Sequence, residues 1–178
     1  MKLARGFSII EVLIVIVIIG ILTAAAIPSF TIWIQNTQIR TGAEALVNGM
    51  QTAKNEAVRR NRCIQILIEN QTGWRVNPCD DPDADPPLAS RSSAEGSANA
   101  ATVMNPPGAA IVSFTALGRV MSINPSDGSP AITQIDIDNP TMQPADSREL
   151  RLVIPTGGGV RLCDPNPGVA IGDPRRCT

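Results

Sequence analysis

From Phe7 to Ile34 the chain is apolar almost without interruption, and Glu11 is the only ionisable side chain in that span. Such a run suits a membrane-crossing helix better than the core helix of a soluble domain. Pro28 lies where the run meets its first polar residues, so a helix that bends there and continues is expected. Beyond it, Ile39, Ala43, Leu46, Met50, Ala53 and Ala57 recur at spacings of four and three and make one apolar stripe, with Arg40, Glu44, Gln51, Lys54 and Asn55 opposite. The stripe should pack on a sheet. Arg59, Arg60 and Arg62 crowd the end of this helix, where cations suit its dipole.

At Cys63 the period changes to two. Ile64, Ile66 and Ile68 alternate with Cys63, Gln65, Leu67 and Glu69, the pattern of a strand with one strongly apolar face. Asn70-Gln71-Thr72-Gly73 turns the chain into Trp74-Arg75-Val76, which predicts a hairpin with Trp74 in the core. Residues 78–107 are rich in Pro, Ala, Ser and Asp without apolar period, and read as a long loop with room for an edge strand. Asp81, Asp83 and Asp85 alternate within it, but Pro86 stands where a calcium loop needs glycine and Ser92 where it needs glutamate, so this is a solvated acidic loop. Strands are expected again at 110–114, 120–123, 132–138, 148–154 and 160–163. The fold class is α+β, with a long N-terminal helix, membrane-spanning in its first half, packed on an antiparallel β-sheet.

A chain of 178 residues accommodates one soluble domain besides the anchor. Lys2 and Arg5 precede the apolar run, which keeps the N-terminus cytoplasmic and sends the rest across the membrane into an oxidising compartment. There, Cys63, Cys79, Cys163 and Cys177 read as two disulfides with three possible connectivities. Local pairing, Cys63 with Cys79 and Cys163 with Cys177, is expected because each closes a short loop flanked by turn residues, and would leave a disulfide-closed C-terminal segment. A zinc site lacks both His and a Cys-x-x-Cys spacing. With neither His nor Tyr, and with its cysteines committed, the chain is not expected to be an enzyme or to hold a cofactor. Gly157-Gly158-Gly159 is followed by no Lys-Ser or Lys-Thr helix, so a turn between strands is expected there in place of a phosphate loop. The formal charge of −1, made more negative by two if Lys2 and Arg5 are removed, gives no global attraction for nucleic acid.

An acidic residue at the centre of a membrane helix costs about 2.5 to 3.5 kcal/mol, so Glu11 calls for a partner. Cleavage between Gly6 and Phe7 would supply one, the new Phe7 amine, four residues away. Gly6, then Phe7-Ser8-Ile9-Ile10-Glu11, then an apolar run with Gly20 and Pro28, resembles the class III signal of type IV pilins and pseudopilins. A secretory signal ending at Thr23-Ala24-Ala25-Ala26 would explain neither Gly6 before Phe7 nor Glu11 inside the run. The resemblance implies that a prepilin peptidase cleaves after Gly6, that Phe7 is N-methylated, and that Glu11 guides docking into a growing filament. It divides the chain into a leader, 1–6, a transmembrane and assembly helix, 7–34, an amphipathic continuation, 35–62, and a β-rich periplasmic domain, 63–178, that includes the continuation. The expected location is the bacterial inner membrane, single-pass, then the pilus or pseudopilus.

Lys54-Asn55-Glu56-Ala57-Val58-Arg59-Arg60-Asn61 and Phe114-Thr115-Ala116-Leu117-Gly118-Arg119 are similar to a helix ending and a Phe-x-x-x-Gly-Arg turn of the GspH/FimT group of pilin-like proteins. Three functions follow from that resemblance. One is a minor pilin of the FimT/FimU type that helps start a type IV pilus near its tip, which the ending from Cys163-Asp164-Pro165 to Cys177 resembles more closely. Another is a GspH-type minor pseudopilin of a type II secretion system. The third is DNA capture. DNA-capturing members carry Gly-Arg-x-Arg where this chain has Gly158-Gly159-Val160-Arg161, so Arg161 alone carries over, with Arg175 and Arg176 as possible substitutes in a C-terminal part that also holds Arg148 and Arg151. The implied partners are other major and minor pilins or pseudopilins, the prepilin peptidase, the inner membrane and, on the third reading, DNA.

Overall fold

The computed structural model describes residues 8–69 and 71–177. Among these residues one helix, α1 (Ile9–Arg60), is followed by eight strands: β1 (Ile64–Glu69), β2 (Gly73–Pro78), β3 (Ala89–Arg91), β4 (Ala101–Asn105), β5 (Ile111–Phe114), β6 (Gln134–Asp138), β7 (Leu150–Val153) and β8 (Arg161–Cys163). The chain divides after Ile34 into two compact units. In the first, α1 is apolar and exposed. Its most apolar 18-residue window has a mean hydropathy of 2.9 and buries nothing, and the helix is long enough to cross a membrane. α1 continues through Pro28 with no break in helical structure.

In the second unit the rest of α1 lies on β-structure along the expected stripe. Ile39, Ala43, Leu46, Met50, Ala53 and Ala57 are all fully buried. They meet Ile64, Ile66 and Val76, also fully buried, and Trp74. Gly49 sets how closely helix and sheet approach. A Cβ there would lie 2.8 Å from Ile66 Cδ1 and from two ring carbons of Trp74, so the indole occupies the space a side chain would need. The helix ends on Asn61, whose φ of 49° is left-handed; Asn61 N–H donates to the Val58 carbonyl and Arg62 N–H to that of Ala57. That pair of bonds is a Schellman cap, and asparagine tolerates its conformation.

The strands form two four-stranded antiparallel sheets, β3-β2-β1-β5 and β4-β6-β7-β8, where one had been expected. They share one core, because Ile132, Ile135, Ile137 and Leu152 of the second sheet region join the cluster around the helix stripe. The tract 78–107 supplies two strands, β3 and β4, each the outer strand of its sheet. β3, Ala89-Ser90-Arg91, carries no β-branched side chain, so pairing with β2 defines it, whereas β4 holds the β-branched Thr102 and Val103 and pairs with β6.

The expected strand at 120–123 does not form. Only single bridges occur, Phe114 with Val120 and Ile123 with Pro130. Pro125 and Pro130 have no N–H to extend a ladder, and the buried Asn124 side chain takes the place of a strand backbone: its Nδ2 donates to the Ile111 carbonyl at 3.2 Å and its Oδ1 accepts from the Ser113 hydroxyl at 2.8 Å. The strands expected at 132–138 and 148–154 are shorter than their apolar patterns.

Gly49→Val should overpack the helix–sheet contact and lower the unfolding free energy of a fragment covering residues 35–178 by about 1 to 3 kcal/mol. Urea titration checks it: the midpoint should fall at constant slope, while Asn48→Ala on the exposed face should stay within about 0.5 kcal/mol of the parent.

Candidate functional site

Two regions carry the residues singled out from the sequence. Gly6 and Phe7 lie outside the described residues. Glu11 lies in the first turn of α1, where its N–H and that of Val12 both bond the Ser8 carbonyl, at 3.1 and 3.3 Å. Its side chain is exposed and makes no hydrogen bond or ion pair among the described residues. A carboxylate in the first turn faces the positive end of the helix dipole, which stabilises it in part. Around it Ile9, Leu13 and Ile16 are more than half exposed, and the exposed apolar surface continues to Trp33. So much contiguous apolar surface marks a segment that lipid or other helices cover.

The second region is the C-terminal segment. Cys63 bridges Cys79, and Cys163 bridges Cys177. The latter bridge holds the tail against β8: Asp164 N–H donates to the Arg175 carbonyl at 2.6 Å, and Cys177 N–H to the Asp164 carbonyl at 3.2 Å. This brings Arg161 and Arg176 to one open groove of about 640 Å³, walled also by Ile171, Pro174 and Cys177. Both guanidiniums are held by backbone: Arg161 Nη2 donates to the Arg176 carbonyl and Arg176 Nη1 to the Val169 carbonyl, each at 3.1 Å.

Arg175 is exposed and is matched by Asp173, 2.8 Å away, which weakens it as an anion site. The guanidinium hydrogen bond, with a smaller contribution from the Arg175 backbone N–H, holds the Asp173 carboxyl well below the usual range, at about 2. Arg151 is not part of this group. It faces Asp136 across β6 and β7, with Nε 2.5 Å from the carboxylate. Arg148 offers its backbone N–H to Asn36 Oδ1.

The helix-ending motif is a self-satisfied cluster. Glu56 accepts from Arg59 at 2.6 Å and Arg60 at 2.7 Å, and those bonds, Arg59 first, lower its pKa. Three further interactions have no counterpart in the sequence reading. Lys54 Nζ donates to the Gly158 carbonyl at 3.1 Å. Gly158, with a φ of 72°, abuts the Gly118 carbonyl so closely that no Cβ could fit. The Phe114-to-Arg119 turn thus sits between α1 and the triple-glycine loop, and Val120 N–H closes it onto the Thr156 carbonyl at 3.0 Å. Three consecutive glycines were the available signal for such a close approach. The third is Asn36, whose Nδ2 donates to the Asp146 carbonyl at 2.9 Å while its Oδ1 accepts from Arg148 N–H at 2.8 Å.

An apolar helix joined to a disulfide-closed, two-sheet unit is the architecture of a pilin-like protein. Residues 42–158 match the family model described as "Type II transport protein GspH", and residues 1–27 that of the prokaryotic N-terminal methylation motif. The chain belongs to the GspH family. A fimbrial protein of Pseudomonas aeruginosa is 43% identical over 58 residues, 33% of this chain and 37% of that protein. The type IV major fimbrial protein FimA of Dichelobacter nodosus is 38% identical over 62 residues, 35% of this chain and 38% of FimA. The matched stretch is thus little more than a third of the length of these relatives. The crystal structure of the type IV minor pilin FimU of Pseudomonas aeruginosa superposes with a TM-score of 0.52 at 19% identity, covering 70% of this chain and 87% of FimU, a likeness of fold.

Asp173 gives a test of the C-terminal geometry. Because its folded pKa is lowered, the pairing with Arg175 contributes fully above the unfolded value of about 3.9 and disappears as pH falls through about 2. A carboxyl-carbon NMR titration should give a midpoint near about 2, and Arg175→Gln should return it toward the ordinary range.

Proposed function

We propose that this chain is a minor pilin that enters type IV pilus assembly at its start, near the filament tip, after a prepilin peptidase has cleaved behind Gly6 and Phe7 has been methylated. The observation that carries this reading is the exposed apolar helix with Glu11 in its first turn, on a chain whose first 27 residues match the methylation motif. Before assembly the helix lies in the inner membrane, its N-terminus cytoplasmic and residues 35–178 periplasmic. In the filament, Glu11 meets the Phe7 amine of a neighbouring pilin, and the opposite charges fix the axial step between subunits. The role is structural, and the partners are other pilins.

Two other readings have an observation behind them. Membership of the GspH family of type II transport proteins favours a pseudopilin of a type II secretion system, built from the same parts. The shared groove of Arg161 and Arg176 favours weak, sequence-independent DNA binding through phosphate. Arg161 is the one position carried over from the DNA-capturing motif.

Intact mass of membrane-extracted protein should show a chain beginning at Phe7 and heavier by one methyl group; a chain beginning at Met1 or behind Ala26 would sink the pilin reading. Glu11→Ala should keep the membrane level and the fold of the soluble unit, yet disappear from sheared filaments. Which filament loses it, pilus or secretion pseudopilus, separates the first two readings.

For DNA, a fragment covering residues 35–178 should bind duplex weakly at low salt. Arg161→Gln with Arg176→Gln should reduce the slope of log affinity against log salt by about 2, one for each phosphate that is no longer neutralised. Unchanged binding by the variant removes the DNA reading.

A further inference from the structure

A stacked aromatic pair stands at the far end of the apolar run. Phe30 and Trp33 are stacked with ring centroids 5.7 Å apart, and they are 60% and 62% exposed. Trp74, by contrast, is buried in the soluble unit. Two large aromatic rings side by side at the edge of an apolar stretch, neither taken into a core, suit the headgroup layer of a bilayer. There, an indole such as that of Trp33 has an apolar body that suits hydrocarbon and a polar edge that suits lipid headgroups, while the wholly apolar Phe30 ring stacks against it.

The soluble unit limits how far hydrocarbon can extend. It begins at Gln35, and at Asn36 both ends of the side-chain amide are engaged by the backbone of 146–148, a segment that bears Asp146 and Arg148. Hydrocarbon must therefore end before Asn36, since neither that backbone nor those charges could be satisfied within it. Trp33 lies one helical turn short of that limit.

The other limit follows from length. At a rise of about 1.5 Å per residue, the helix from Glu11 to Trp33 spans about 33 Å, and about 31 Å along the membrane normal at an average tilt of about 20°. The hydrocarbon core is about 30 Å thick. Leu22 then falls at the midplane. The one hydroxyl near that depth, Thr23, is satisfied within the helix by the Ile19 carbonyl at 2.6 Å, and Thr31 likewise by that of Ile27 at 3.1 Å.

We propose that Phe30 and Trp33 form an interfacial anchor in the phospholipid headgroup layer next to the soluble unit, and that this anchor holds Glu11 at the opposite rim of the hydrocarbon, not at its centre. The inference rests on the membrane-spanning reading of α1. Its consequence is that the unassembled chain keeps Glu11 hydrated. The full cost of a buried carboxylate then arises only when the helix leaves the bilayer for a filament, where a cationic partner must already be present.

The test uses the full chain in phosphatidylcholine vesicles, at low protein content, with bromine placed either near the glycerol end or near the methyl end of the acyl chains. Flotation is measured first. The quenched part of the tryptophan emission is then taken as the difference between the parent and Trp33→Phe, in which only the buried Trp74 remains. Val12→Trp and Leu22→Trp, each added to Trp33→Phe, report the two other depths with Glu11 left intact. The ratio of glycerol-end to methyl-end quenching should exceed one at positions 12 and 33 and fall below one at position 22. A ratio below one at position 33 overturns the anchor, and one below one at position 12 overturns the placement of Glu11, in either case with the spanning reading intact. Failure of the chain to float overturns that reading and the proposal with it.

Discussion

The whole structure depends on a single helix meeting two different surroundings along its length. Up to Trp33 its large apolar side chains are mostly exposed, and from Ile39 its apolar residues contract to one stripe that is fully buried. Ile39, Leu46 and Met50 each remove a large side chain from water, worth about 1.5 to 3 kcal/mol apiece. Ala43, Ala53, Ala57 and Gly49 contribute little area but let the sheet come close. The alternation of large and small residues makes the seam specific, since a uniformly bulky stripe would hold the sheet away and leave Trp74 without its place above Gly49.

Around this seam the connections close on each other at few points. Lys54, the Gly118 turn and the triple-glycine loop meet near the end of the helix, and the left-handed Asn61 redirects the chain into Cys63 and β1. The second sheet gains its place through Ile132, whose N–H bonds the Ile111 carbonyl at 3.2 Å, so β5 and the chain entering β6 share an edge without forming one continuous ladder.

Much of this was legible in advance because the strongest periodicities also do the most burial. The stripe from Ile39 to Ala57 and the alternation from Ile64 to Ile68 are where the pattern is densest, and both lie in the core as written. Local cysteine pairing was legible from loop length and turn residues. What the chain hides are elements defined by their partners. β3 and β4 lie in a tract without apolar period and are defined by the edges that β2 and β6 offer. The missing strand at 120–123 has a strand-like pattern but is flanked by prolines and by Asn124, whose side chain competes for the ladder. In the C-terminal region the charges of Arg151 and Arg175 were visible, but their matching to Asp136 and Asp173 needs the strand register and the loop geometry. The same is true of the paired glycines, 118 and 158, which lie far apart in the chain.

The stripe also determines how the second unit would carry a mechanical load. Ile39, Ala43, Leu46, Met50, Ala53 and Ala57 lie along the axis of α1, and Asn36 at the head of the row is clasped by 146–148. A pull along the helix therefore strains this row side by side, in shear, and no member can be peeled off ahead of the others as in a zipper. The slack that yielding releases is also restricted. The stretches 63–79 and 163–177, which could each extend by about 3.3 to 3.6 Å per residue, are closed by covalent bonds and cannot lengthen. Tension entering through the helix is thus spread over the whole seam.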